Sequence, residues 1–112
     1  MLLNNKRFVV LQFISGSWST LSDLLSGDSF DLILTSETIY NEASYNQLIE
    51  VFDKCLSTCG RVWLAAKVHY FGVGGGLRAF EAGLQQSGKF AFKVVDKVTD
   101  GVGREILEIW RK

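Results

Sequence analysis

The chain has 112 residues, of which 47% are apolar, 12% aromatic and 21% charged, which excludes a disordered segment and gives enough core material for one domain over residues 1–112. Twelve basic residues balance twelve acidic ones, so the overall positive field of a general nucleic-acid binder is missing and no direct nucleic-acid binding is expected. No apolar run approaches the roughly 18 residues that span a bilayer, and the start carries no secretory signature, so a soluble intracellular chain without a membrane role is expected.

In chain order, Phe8, Val9, Val10, Leu11, Phe13 and Ile14 make a continuous apolar run that predicts a buried strand ending at Gly16. Leu21, Leu24 and Leu25 then recur at the three-and-four spacing of a short helix over Ser19 to Leu25. The stretch Phe30 to Asn41 changes character halfway. Phe30, Leu32, Ile33 and Leu34 suit a parallel strand covered on both faces, whereas Thr35, Ser36, Glu37, Thr38, Tyr40 and Asn41 carry hydroxyls, a carboxylate, a phenol and an amide. Such groups just past a strand's carboxyl end are where open α/β sheets bind ligands, although a strand running into a helix cap would read the same way.

Tyr45, Leu48, Ile49, Phe52, Cys55 and Leu56 form one stripe of a following helix. Asn41 or Ser44 is expected to cap it, the latter with Gln47 as a capping box, and Gly60 to stop it. Cys55 and Cys59 then sit four apart on that helix, a poor disulfide geometry and half the ligands of a zinc site, so reduced thiols and no metal are expected. Arg61 to Lys67 reads as a second buried strand, parallel to the first. His69, Tyr70, Phe71 and glycines 72, 74, 75 and 76 follow. The glycines read as a flexible rim that lets a peptide approach the sheet edge. A dinucleotide fingerprint fails there because Leu77 stands at the third glycine. Leu77, Phe80 and Leu84 mark a helix stopping at Gly88, and Phe90 to Val98 with Glu105 to Trp110 form a hairpin turning at Asp100 and Gly101.

The string Asp31-Leu-Ile-Leu-Thr-Ser-Glu-Thr-Ile-Tyr-Asn41 resembles the strand 4 motif of class I S-adenosylmethionine-dependent methyltransferases, in the histidine protein methyltransferase branch. Ser15-Gly-Ser-Trp-Ser19 is similar to that branch's Ser-Gly-acid-Trp segment, and Lys67-Val-His-Tyr-Phe-Gly-Val-Gly-Gly-Gly76 to its loop after strand 5. The resemblance implies an α/β fold: a partial Rossmann-like sheet made of strands 3 to 7 of the order 3-2-1-4-5-7-6 and ending in an antiparallel hairpin. Strands 1 and 2, the glycine-rich turn after strand 1 and the ribose-binding acid have no counterpart in the chain.

The resemblance further implies that Gly16, Ser17 and Trp18 lie beside the adenine of S-adenosylmethionine and Ser36 near the donor. Glu37, Tyr40 and His69 would surround the acceptor. Ser17 stands where the family has an acid, so it offers one hydrogen bond without charge. Trp18 also reads as an aromatic covering a strand end, and His69 as a solvated loop histidine. The expected function is that of a fragment of a methyltransferase acting on histidine in a protein substrate, a ribosomal protein among the candidates, in the cytoplasm or nucleus. The alternative is a non-catalytic remnant that serves as an interaction module. Without strands 1 and 2 the donor is expected to bind weakly or not at all. The open edge of strand 4 is expected to pair with the Phe8 to Ile14 run or with a second copy.

Overall fold

The computed structural model describes residues 11–25, 27, 29–72 and 74–112. Helix α1 (Trp18–Leu24) leads into β1 (Phe30–Ser36), and a 3-10 turn over Glu42–Ser44 into α2 (Tyr45–Cys55) and β2 (Leu56–Lys67). Then follow α3 (Leu77–Ser87), β3 (Phe90–Val98) and β4 (Arg104–Arg111). β1 and β2 pair in parallel, β4 lies antiparallel to both β2 and β3, and the sheet order is β1-β2-β4-β3. That is the 4-5-7-6 half of the sheet the sequence resembles.

The core follows from two periodicities meeting. Val62, Leu64 and Ala66 alternate along β2 and Leu107 and Ile109 along β4, all buried, so one sheet face is apolar. The stripes Leu48, Phe52 of α2 and Leu77, Phe80, Leu84 of α3 bury against it, with the Tyr45 and Phe80 rings edge to face at 5.2 Å. Each of these large side chains contributes roughly 1.5–3 kcal/mol on burial. Gly88 ends α3 in the left-handed region at φ 70°. Arg111 of β4 holds the end of α2: its guanidinium donates to the carbonyls of Asp53 (2.5 Å) and Leu56 (2.7 Å) and to the Asp53 carboxylate (2.9 Å), placing a cation where helix carbonyls lack partners.

Three expectations are corrected. Leu11 to Ile14 do not form a strand: they carry no regular structure, and Leu11 is 73% and Phe13 93% exposed. A strand needs a neighbour to take up its amides and carbonyls, and among the described residues none lies along the outer edge of β1. Phe8, Val9 and Val10 fall outside the described residues. Secondly, α2 stops at Cys55 and Gly60 belongs to β2. The register jumps from Phe30↔Leu56 to Leu32↔Arg61, and a Cβ on Gly60 would lie 2.9 Å from the Phe30 carbonyl oxygen, so this glycine permits a close strand approach at an irregularity in the ladder. Cys55 is therefore buried on the helix, its thiol donating to the Leu25 carbonyl at 3.7 Å, and Cys59 is exposed on the strand, and the two form no disulfide. Thirdly, neither candidate side chain caps α2: Asn41 accepts from the Ala43 amide at 3.0 Å and so caps the 3-10 turn that precedes the helix. Ser44 makes no capping bond to α2 and donates to the Asn41 carbonyl instead.

Among the described residues, nothing covers the opposite face of the sheet. Leu32 and Leu34 of β1 are 55% and 69% exposed and Trp63 of β2 is 43% exposed. Parallel strands of this composition are normally covered on both faces.

Candidate functional site

Beyond β1, the chain has to turn sharply while keeping its last amide paired. Glu37 does this with φ 58°, alone among the described non-glycine residues at positive φ, and its N–H donates to the Ala65 carbonyl at 2.9 Å. A left-handed non-glycine residue costs of order 1–3 kcal/mol and persists only where its surroundings impose it. Here the carboxylate is imposed upon from two sides. The Tyr70 hydroxyl, on the loop after β2, donates to Oε2 at 2.5 Å, and the Arg104 guanidinium, at the start of β4, stands 3.7 Å from Oε1. The same phenol oxygen accepts the Lys67 amide at 3.2 Å. Burial and the neighbouring Glu37 push the Tyr70 phenol up to about 12.

Ser36 and Glu37 share a cleft of about 320 Å³ with Asp96, Lys97 and Arg104, floored by Ala65. His69 does not join them. It is exposed on the next loop, edge to face with Phe71 at 5.2 Å, and lines a separate cleft with Gly74, Gly75, Gly76 and Arg78. Tyr40 is 55% exposed. The Thr35 and Thr38 hydroxyls bond each other at 2.7 Å across the turn.

The glycine segment differs from the expected flexible rim at its second half. Tyr45 of α2 donates to the Ile39 carbonyl at 2.8 Å and accepts the Gly76 amide at 2.9 Å, which sews the loop after β1 to the loop after β2. Gly75 and Gly76 are buried at this seam, where a Cβ would meet the Tyr45 hydroxyl at 2.5 Å and the Val68 carbonyl oxygen at 2.1 Å respectively. Burial raises the Tyr45 phenol as well.

Both phenols favour their neutral form in the folded state, so the stability they contribute is complete below the ordinary tyrosine value of 10.0 and declines as pH rises toward about 12. Melting temperature is expected to fall more steeply above pH 10 in the parent chain than in Tyr70→Phe. Equal slopes would contradict the buried, carboxylate-bonded phenol.

On the other side of β1, Ser17 caps α1: its hydroxyl oxygen accepts the Thr20 amide at 3.3 Å and lies 3.0 Å from the Ser19 hydroxyl. Gly16 precedes it at φ 151°, and the half-buried Trp18 lines an apolar groove of about 300 Å³ along the free edge of β1 with Leu21, Leu32, Leu34 and Thr35. Among the described residues no acid or base lines that groove. Its described walls suit a flat heteroaromatic ring and offer a single hydroxyl, that of Thr35, and no charge to the ribose and amino-acid ends. The residues present therefore fit one part of S-adenosylmethionine, not the whole. The isolated chain is expected to bind it no better than about millimolar, about 4 kcal/mol. A micromolar constant by calorimetric titration would contradict this.

Two parallel strands followed by an antiparallel pair, helices on one face, and polar side chains gathered at the parallel strands' carboxyl ends define a partial class I methyltransferase sheet. A solved structure with this fold, the Methanococcus jannaschii fibrillarin pre-rRNA processing protein, superposes with a TM-score of 0.56 at 18% identity, covering 88% of this chain and 44% of that one. The chain belongs to the methyltransferase family described as Lysine methyltransferase, which it matches over residues 4–72. Its relatives include histidine protein methyltransferase 1 homologs of Dictyostelium discoideum, 39% identical over the whole chain and 37% of the relative, and of Mus musculus, 40% identical over 88% of the chain and 28% of the relative. Histidine protein methyltransferase 1 of Schizosaccharomyces pombe is 34% identical over 93% of the chain and 32% of the relative. The chain thus spans about a third of the length of the curated relatives it matches.

The place past a strand end and the family resemblance point to Glu37 but not to its partners. Tyr70 lies 33 positions away and Arg104 on another strand. The signal available was chemical: a tyrosine and an arginine sit where two further strand ends return to the same sheet edge.

Proposed function

We propose that the chain forms the acceptor side of a protein methyltransferase that modifies a histidine ring in a protein substrate, with S-adenosylmethionine as donor. The single observation that carries this is the Glu37 carboxylate, held in a strained backbone at the carboxyl end of β1 by Tyr70 and facing a cleft. A fixed carboxylate can accept the N–H of an imidazole and leave the other ring nitrogen unprotonated, the form that acts as a nucleophile. The donor, when bound, presents an electrophilic methyl group. As the ring nitrogen bonds the methyl and the sulfur–methyl bond breaks to leave a neutral thioether, the imidazole would become a cation; a carboxylate placed against it would stabilise that charge as it develops, and the ring proton facing the carboxylate would then leave to solvent. A lysine amine gains less from this arrangement, because it must first lose a proton. Histidine, which the relatives' names carry, agrees with this chemistry, whereas the family description names lysine.

The test uses a chimera in which this chain replaces the matching part of the Dictyostelium discoideum relative. Acid hydrolysis of an acceptor protein labelled by the chimera is expected to yield methylhistidine. Methyllysine alone would overturn the reading.

A second reading, an interaction module, is favoured by the bare apolar face of Leu32, Leu34 and Trp63. On that reading the 112-residue chain self-associates through this face and the β1 edge. Light scattering across a concentration series is expected to show a dimer, and a strictly monomeric chain would remove this reading.

A further inference from the structure

We propose that Tyr70 and Arg104 are positioning residues that clamp the Glu37 carboxylate so that Oε1 alone is left to receive the acceptor ring. The inference rests on the acceptor-side reading above and goes beyond it by assigning two residues that act through Glu37.

The direction of each hydrogen bond is fixed by the chain itself. The Lys67 amide donates to the Tyr70 oxygen at 3.2 Å, so the phenol's single proton is free to go to Glu37 Oε2 at 2.5 Å. Donors in series polarise one another, and a bond to a carboxylate is roughly twice as strong as a neutral one. The phenol pushed up to about 12 keeps that proton at neutral pH. The ring is itself immobilised: Tyr70 is buried, and the Lys67 ammonium lies 5.6 Å from its centroid. Oε1 is treated differently. Its nearest cation, Arg104 Nε, is 3.7 Å away, close enough for attraction and too far for a good hydrogen bond. Among the described residues no hydrogen bond is made to Oε1. One oxygen is thereby committed and the other kept in place by charge with its lone pairs open to the cleft shared with Ser36 and Lys97. An imidazole N–H is a single directional donor and matches one open carboxylate oxygen.

The experiment compares Tyr70→Phe, Arg104→Gln and Glu37→Gln, singly and combined, in the chimera. Tyr70→Phe is expected to lower kcat about tenfold with the donor KM unchanged, as for a lost hydrogen bond to a charged group. In the Glu37→Gln background it is expected to cost little more, because a residue acting only through Glu37 has nothing left to position. Arg104→Gln, a half-exposed side chain whose loss spares the core, is expected to lower kcat about threefold with partial rescue by Arg104→Lys. Equal losses from Tyr70→Phe in both backgrounds, or no loss from either single variant while Glu37→Gln is impaired, would overturn the clamp alone. Full activity in Glu37→Gln would overturn the acceptor-side reading and the clamp with it.

Discussion

Glu37→Gln in the chimera with the Dictyostelium discoideum relative is expected to turn over about a hundredfold more slowly than its parent, the scale of a positioned acid or base. The amide retains a carbonyl oxygen for the Tyr70 hydroxyl and is nearly the same size, so the left-handed backbone and the Ala65 bond are kept. What is lost is charge. The ring becoming cationic would face a neutral group, and an amide nitrogen turned toward the cleft would repel the imidazole N–H. Melting of the 112-residue chain should change by less than about 1 kcal/mol, because the carboxylate is half exposed and its ion pair with Arg104 is a surface one. Steady-state kinetics beside thermal unfolding separate the two effects. A destabilised variant with normal turnover per folded molecule would make Glu37 a structural turn residue.

Gly76→Ala is expected to destabilise the fold by about 3 kcal/mol, the upper range for forced overpacking, and to lower the melting temperature by roughly 10 °C. The added Cβ would lie 2.1 Å from the Val68 carbonyl oxygen and 3.2 Å from the His69 Cα, both backbone atoms without a rotamer to change. Relief requires the two ends of the loop after β2 to part, which breaks the Leu77 bond to Val68 and disturbs the Gly76 bond to Tyr45. The exposed Gly72 is open on the side a Cβ would occupy, so any cost there comes from its positive φ alone. Circular dichroism melting decides between them. A loss at Gly76 under about 0.5 kcal/mol would show that the Val68 and Gly76 ends of this loop are not packed as described.

Much of this architecture could be read from the residues in order. The alternation of Val62, Leu64 and Ala66, the stripe Tyr45 to Cys55, and Asp100-Gly101 between two apolar runs are local signals with a fixed period or a fixed turn chemistry, and each appears where its pattern points. Gly60 misled because a glycine that ends a helix and a glycine that lets two backbones approach look identical without the partner strand. Leu11 to Ile14 misled for a related reason: an apolar run specifies a strand only if a neighbouring strand can take its hydrogen bonds. At the site, Ser36 and Glu37 were legible because they end and directly follow β1. Tyr70, Arg104 and the Tyr45 seam were not, since each depends on where separate elements return in space.

If the acceptor ring is held by one oxygen of Glu37, nitrogen-15 NMR of the bound ring reports it. A peptide carrying one labelled histidine would be bound to the chimera in the presence of the demethylated donor. The account predicts a single tautomer, one ring nitrogen protonated and hydrogen-bonded and the other bare, which reverts to an averaged pair in Glu37→Gln. An averaged or fully protonated ring in the parent, unchanged by Glu37→Gln, would contradict it.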